Sequence, residues 1–225
     1  MIIGLTAYPP AGAGKSTVAR YLTEEYSFRE VSMADPFKRF CMEVFDWGPD
    51  VVWGPTGVKN KEDRRYPRGV AGVSERGVTI SYLTPRYAMQ RLGSEWGRDC
   101  YKNLWVNYCM KVCETVMFGQ TRKTSLKYDY SRERGLYPWN EGPMEDINGM
   151  VIPDIRFDNE AEGVKEAGGV VWNIRRLGAS GLPGDLGQHE SEVGIRSGLI
   201  DATIDNDGSI EELHARVRAQ MKEYE

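Results

Sequence analysis

The chain has 225 residues, a length suited to one domain with a sizeable core and room for a small inserted lobe. It is 40% hydrophobic and 28% charged with a net charge of −4. Those values exclude disordered and fibrous classes and argue against a nucleic-acid coat, whose affinity rests on basic excess. No apolar run approaches a membrane span, and Met1 leads straight into Ile2-Ile3-Gly4-Leu5 without a basic leader, so a cytoplasmic protein is expected.

In chain order, Ile2–Ala7 reads as a strand, followed by a Pro/Gly loop and a helix from Ser16 in which Val18, Tyr21 and Leu22 recur at helical spacing. Phe28–Met33 reads as a second strand. Pro36 then opens a helix with Asp35 as its cap, running through Phe37 and Phe40. Residues 47–82 are rich in Gly, Pro and charge without a sustained period, so a long functional loop or small lobe is expected there. Thr84 caps a helix that starts at Pro85 and turns Ala88, Met89 and Leu92 inward. Asn103 caps a longer one with Val106, Cys109, Cys113, Val116 and Met117 as its apolar stripe.

Residues 120–148 form a second polar stretch without period, in which Arg122, Lys123, Lys127, Arg132 and Arg134 lie among tyrosines. Met150–Asp154 is a buried strand ending in an acid. Asn159–Ala167 is a short helix stopped by Gly168-Gly169, and Val170–Ile174 and Ala202–Asp205 are further strands. Ser209 and Glu212 have capping-box spacing and open the last helix, with Leu213 and Val217 one turn apart. Cys41, Cys100, Cys109 and Cys113 lack zinc-ligand spacing and read as buried, reduced thiols.

Strands alternating with helices give an α/β fold: three α/β/α layers around a central, mostly parallel five-stranded sheet, as one domain over 1–225. Ligands of such sheets bind beyond the carboxyl ends of the strands. The loop after Ala7, the loop from Asp35, Asp154–Arg156 and Arg175-Arg176 are all expected at that rim.

The segment Pro9-Pro10-Ala11-Gly12-Ala13-Gly14-Lys15-Ser16 fits a P-loop except that Pro9 occupies the first glycine position. Glycines let backbone N–H groups and the following helix terminus approach phosphate. Gly12, Ala13, Gly14, Lys15, Ser16 and Thr17 are therefore the expected ATP-binding set. Lys15 is expected to bridge the β- and γ-phosphates and Ser16 to ligate Mg²⁺. An accidental Gly-rich turn is the alternative. A P-loop by itself does not name a reaction.

Several segments resemble phage-type deoxynucleoside monophosphate kinases, small P-loop enzymes related to the wider nucleotide and dephospho-coenzyme A kinases. They are Gly4-Leu5-Thr6 with Gly12–Ala19, Ala34–Lys38, Trp53-Gly54-Pro55, Gln90–Arg98 with Trp105-Val106-Asn107, Asp154–Glu162, His189–Glu192 and Ile204–Ser209. Their order and spacing cover most of the chain. Family members often carry Asp where this chain has Ser16, and the 120–148 segment looks like a polar insertion to which the resemblance gives no role.

The resemblance implies a P-loop kinase-like fold and transfer of the ATP γ-phosphoryl group to a deoxynucleoside monophosphate. Such chemistry is mostly positioning and charge neutralisation. Asp35 could orient the acceptor, sit near the metal or only cap its helix. Lys38 could face the acceptor phosphate or stay solvated, and Trp53 could stack on a base or simply pack. Gln90, Arg91 and Arg98 suit a grip on a base edge and a phosphate, since the planar guanidinium fork binds phosphate oxygens in pairs. A surface ion pair is the alternative for either arginine.

Asp154 could hold Mg²⁺, cap a helix or pair with Arg156, which itself could contact phosphate or brace that aspartate. Arg175 and Arg176 lead into a Gly-rich stretch, so residues 175–192 read either as a closing lid that excludes water, with Arg175 binding ATP and Arg176 acting in catalysis, or as a loop with solvated arginines. Residues 47–82 are the expected acceptor-binding loop or lobe. Neither nucleic acid nor membrane is expected as a partner, and a homodimer is compatible with the sequence. The rival readings are a kinase of another phosphorylated small molecule, such as dephospho-coenzyme A, and a DNA-associated P-loop ATPase.

Overall fold

A computed structural model of the chain describes residues 1–8, 12–74, 77–118, 128–138, 146–176 and 194–224. These fall into two compact units, one made of Met1–Met33 with Val106–Glu225 and the other of Ala34–Trp105.

The first unit is built on five strands: β1 (Ile2–Thr6), β2 (Phe28–Glu30), β7 (Gly149–Ile152), β8 (Val170–Arg175) and β9 (Ala202–Asp205). They lie in the order β2-β7-β1-β8-β9, and every neighbouring pair is parallel. The expectation of a mostly parallel sheet is met in full. All five residues of β1 are buried, which is why it reads as a continuous apolar run rather than an alternating one.

Ile3 and Leu5 pack with Val18 and Leu22 of α1 (Lys15–Tyr26), with Trp172 and Ile174 of β8, and with Leu213 and Val217 of α8 (Ile210–Met221). On the other side, Gly4 leaves room for Ile155 and for Val164 of α7 (Asp158–Glu166). Gly163 in turn lies against Val106 of α6 (Leu104–Phe118), where any Cβ would collide. Helices therefore cover both faces, giving three layers. Phe28 and Trp172 are fully buried, each contributing about 1.5–3 kcal/mol or more by leaving water.

Two helix ends of this unit follow the sequence signals. Ser209 Oγ accepts from Glu212 N–H at 3.2 Å while Glu212 Oε2 accepts from Ser209 N–H at 2.8 Å, a reciprocal cap for α8. Gly168 closes α7 at φ 74°. Strand β2 is shorter than expected, because pairing with β7 covers only Phe28–Glu30.

Within 120–148, residues 128–138 form a hairpin of β5 (Tyr128–Ser131) and β6 (Gly135–Pro138), where the sequence shows no period. The hairpin is latched to β2 by Arg29 Nε on Asp129 Oδ1 at 3.1 Å and Arg132 on Glu30 at 2.6 Å. The remainder of the expected insertion, 120–127 and 139–145, lies outside the described residues, as do most of the 175–192 lid stretch, His189 and Pro9.

In the second unit, Cys41, Trp47, Val52, Ala88 and Met89 form a core with Phe37, Phe45, Leu83 and Leu92 packed around it. It draws on α2 (Asp35–Phe45), the short helices α3 (Pro49–Val52) and α4 (Thr56–Lys59), and α5 (Pro85–Gln90), which Thr84 Oγ1 caps by accepting from Tyr87 N–H at 3.2 Å.

The 47–82 stretch is regular after all. Beyond α3 and α4 it forms the antiparallel hairpin of β3 (Asp63–Ser74) and β4 (Gly77–Leu83). Its base is held by Asp63, which accepts from Trp47 Nε1 at 2.8 Å and pairs with Arg65 at 2.7 Å. The Arg65 hydrogen bonds are the main reason the Asp63 carboxyl is held well below the usual carboxylate range.

A π-helical segment, Arg91–Arg98, continues α5. Trp105 Nε1 donates to Gly93 O at 2.7 Å, and the Phe37 and Trp105 rings occupy the space that Cβ atoms on Gly93 and Gly97 would need.

Among the described residues no helix is long and apolar enough to cross a membrane. Cys41, Cys109 and Cys113 are buried as expected, but Cys100 is exposed. Burial pushes the Cys41 thiol up to about 12. In the native protein at pH 8, a thiol reagent is expected to modify Cys100 rapidly and the other three only on unfolding. Peptide mapping after brief alkylation checks this, and a fast second site contradicts it.

Candidate active site

In a parallel sheet every strand ends on the same rim, so the segments after β1, β7, β8 and β9 are brought together in the first unit. After β1, Gly12 and Gly14 take left-handed φ values of 75° and 102°. Side chains at these two positions would strain the backbone. Gly14 immediately precedes α1 and offers no side-chain cap, and the first turn of α1 contains no acidic residue. The positive end of the helix dipole therefore faces the loop with no carboxylate from its own turn to neutralise it. Ser16 is exposed and Thr17 half-buried in this first turn.

Lys15 is only 8% exposed, and its Nζ lies 3.6 Å from Asp154 Oδ1. An ammonium withdrawn from water needs such a counter-charge. Asp154 follows β7, the neighbour of β1, by two residues. Its other oxygen, Oδ2, accepts from Arg156 Nε at 2.8 Å. Two contacts fix this segment: Ile155 N–H donates to Leu5 O at 2.9 Å, and the buried Glu160 carboxylate accepts from the N–H groups of Arg156 and Phe157 at 2.8 and 3.2 Å. Arg156 thus braces Asp154, one of the two roles the sequence leaves open.

At the end of β8, Arg175 forms a two-bonded pair with Asp205 at the end of β9, at 2.6 and 3.0 Å. That bond is the main cause holding the Asp205 carboxyl below its ordinary value. Arg176 is exposed. Sequence reasoning gives no role to Asn206, yet its Nδ2 donates to the loop carbonyl Ala13 O at 2.8 Å. The signal available was its place directly after a strand end on the ligand-binding rim.

In the second unit, Asp35 is the first residue of α2 rather than its cap, which is Ala34. It is 2% exposed and its Oδ1 accepts from Trp53 Nε1 at 3.0 Å. Lys38 Nζ lies 5.7 Å from the centroid of the Trp53 ring. Asp35, Lys38 and Trp53 thus come together, with the indole N–H committed to the carboxylate. Gln90 ends α5 half-buried, Arg91 pairs with Glu95 and lies 5.1 Å from the Tyr87 ring, and Arg98 closes the π-helical segment half-buried.

No protein-family model matches the chain. A protein of Acanthamoeba polyphaga mimivirus described as "Putative deoxynucleotide monophosphate kinase" is 30% identical over 207 residues, which span 92% of this chain and 89% of that protein. Likeness sustained over nearly the full length of both, on an all-parallel α/β sheet with a glycine loop and a buried lysine at its rim, has one consequence: the chain belongs to the deoxynucleotide monophosphate kinase family.

Proposed function

We propose that the chain transfers the γ-phosphoryl group of ATP to the 5′-phosphate of a deoxynucleoside monophosphate, giving ADP and the diphosphate, with Mg²⁺ as the metal. The observation that carries this is the buried Lys15 ammonium beside Asp154, next to the uncapped N-terminus of α1. A cation in that place is built to exchange a carboxylate for phosphate oxygens as nucleotide binds.

In this reading the N–H groups of Gly12–Thr17 hold the phosphate chain and Lys15 neutralises charge on the β- and γ-phosphates. The Ser16 hydroxyl and the Asp154 carboxylate are both hard oxygen donors, a set that fits Mg²⁺. When bound, the metal supplies charge neutralisation across the phosphate oxygens. Arg156 keeps Asp154 oriented for it.

Residues 47–82, with Asp35 and Lys38 of α2 and with Gln90, Arg91 and Arg98, form the acceptor side. Buried Asp35, held by Trp53, orients the acceptor, and the guanidinium groups of Arg91 and Arg98 take its phosphate. Arg175, anchored on Asp205, fixes the base of the lid stretch to 192, and Arg176 beside it takes charge from the transferring group. All of these work within one kinase domain over 1–225, with 120–148 as an insertion.

The test is a chromatographic screen of the protein with ATP and Mg²⁺ against each deoxynucleoside monophosphate, dephospho-coenzyme A and single-stranded DNA. Diphosphate is expected from at least one monophosphate, with no product from dephospho-coenzyme A. ATP hydrolysis stimulated by DNA, with no diphosphate, would overturn the proposal.

A further inference from the structure

The phosphate loop is held from behind by a residue on the far end of the sheet. Asn206 Nδ2 donates to Ala13 O at 2.8 Å, across 193 positions of sequence. The fit is tight, since a Cβ on Gly14 would collide with that same nitrogen. Asn206 is itself braced. Its N–H donates to Arg175 O at 2.7 Å, and the flanking Asp205 side chain is held by Arg175 at 2.6 Å. Arg216 donates to Asp207 Oδ1 at 2.6 Å and also reaches Asp205 O, while the Ser209–Glu212 cap closes the turn.

A trans peptide is planar, so the carbonyl of Ala13 and the N–H of Gly14 point in opposite directions. Fixing Ala13 O against Asn206 therefore turns the Gly14 N–H away from Asn206. We infer that Asn206 is a positioning residue for phosphate binding: by holding the Ala13–Gly14 peptide it presents the Gly14 N–H to the phosphate chain of the nucleotide. This rests on reading the loop as the phosphate cradle. Preorganised backbone donors are worth most when no reorientation is needed as charge arrives. It also gives Gly14 a second reason to be glycine besides its φ of 102°.

The test compares the wild-type chain with Asn206→Asp, which keeps the shape but puts an acceptor against an acceptor, and with Asn206→Ala. Calorimetry with MgATP and with inorganic tripolyphosphate gives binding, and steady-state assays give KM and kcat for each substrate. Both ligands are expected to bind Asn206→Asp about 10- to 100-fold more weakly, and Asn206→Ala by a smaller factor. The KM for the monophosphate should stay within about twofold and the thermal midpoint within about 3 °C, since the bond sits on a half-buried turn.

Binding of both ligands by Asn206→Asp within about twofold of wild type would overturn the inference, and so would an equal loss for both substrates. Wild-type protein that binds tripolyphosphate but forms no diphosphate would sink the proposed reaction while leaving the Asn206 comparison intact.

Discussion

Lys15→Ala is expected to lower kcat by about 10³-fold or more, close to 4 kcal/mol of transition-state stabilisation, while the fold survives. The buried ammonium is the one positive side chain placed in the loop's own helix turn, and phosphoryl transfer depends on charge neutralisation there. Its removal leaves Asp154 one-third exposed and still bonded to Arg156, so no charge is stranded in a dry place. Turnover should therefore collapse with a thermal midpoint close to wild type. Near-normal turnover would contradict a phosphate cradle at this loop.

Removing the other partner should behave differently. Asp154→Asn is expected to reduce turnover by about 10²-fold or more, and also to destabilise the free protein by on the order of 1–3 kcal/mol. The asymmetry follows from burial: Lys15 has a side chain only 9% exposed, against 35% for Asp154. Losing the carboxylate removes a counter-charge from the group that water reaches least. Phosphate can replace it, so saturating ATP or tripolyphosphate should recover most of the lost stability in Asp154→Asn. Thermal unfolding with and without ligand checks this. A variant as stable as wild type without ligand would remove the ion pair from the account.

The parts of the structure legible in the sequence are those decided locally. Strand β1, the glycine loop and α1 follow from an apolar run, two glycines and a helical stripe within some 25 residues. The Ser209–Glu212 cap and the Gly168 stop are likewise signals a few residues long. What was not legible depends on distant partners. The 128–138 hairpin is latched to β2 by ion pairs bridging about 100 positions, and nothing in its polar composition marks that. The β3–β4 hairpin has no clean alternation because most of its residues are exposed and its register shifts several times.

In the π-helical segment, two aromatic rings, on Phe37 and Trp105, press against glycines at 93 and 97, a matter of tertiary packing that no short sequence signal marks. Asp35 shows the limit in miniature. An acid before proline reads as a cap, but here the helix starts one residue earlier and the carboxylate turns to the Trp53 indole instead. At the candidate site, Lys15 and Asp154 could be named from sequence. Their pairing and the hold of Asn206 on the loop could not, whereas the bracing of Asp154 by Arg156 was one of two roles left open.

The proposed reaction moves one group, the γ-phosphoryl of ATP, and forms one bond, from it to the 5′-phosphate of a deoxynucleoside monophosphate. Incubation with ATP labelled at the γ-phosphorus, Mg²⁺ and each monophosphate, followed by separation of products, tests it most directly. The label is expected in the β-position of a deoxynucleoside diphosphate, with unlabelled ADP formed in equal amount. Label appearing only as inorganic phosphate, whichever monophosphate is supplied, would contradict it.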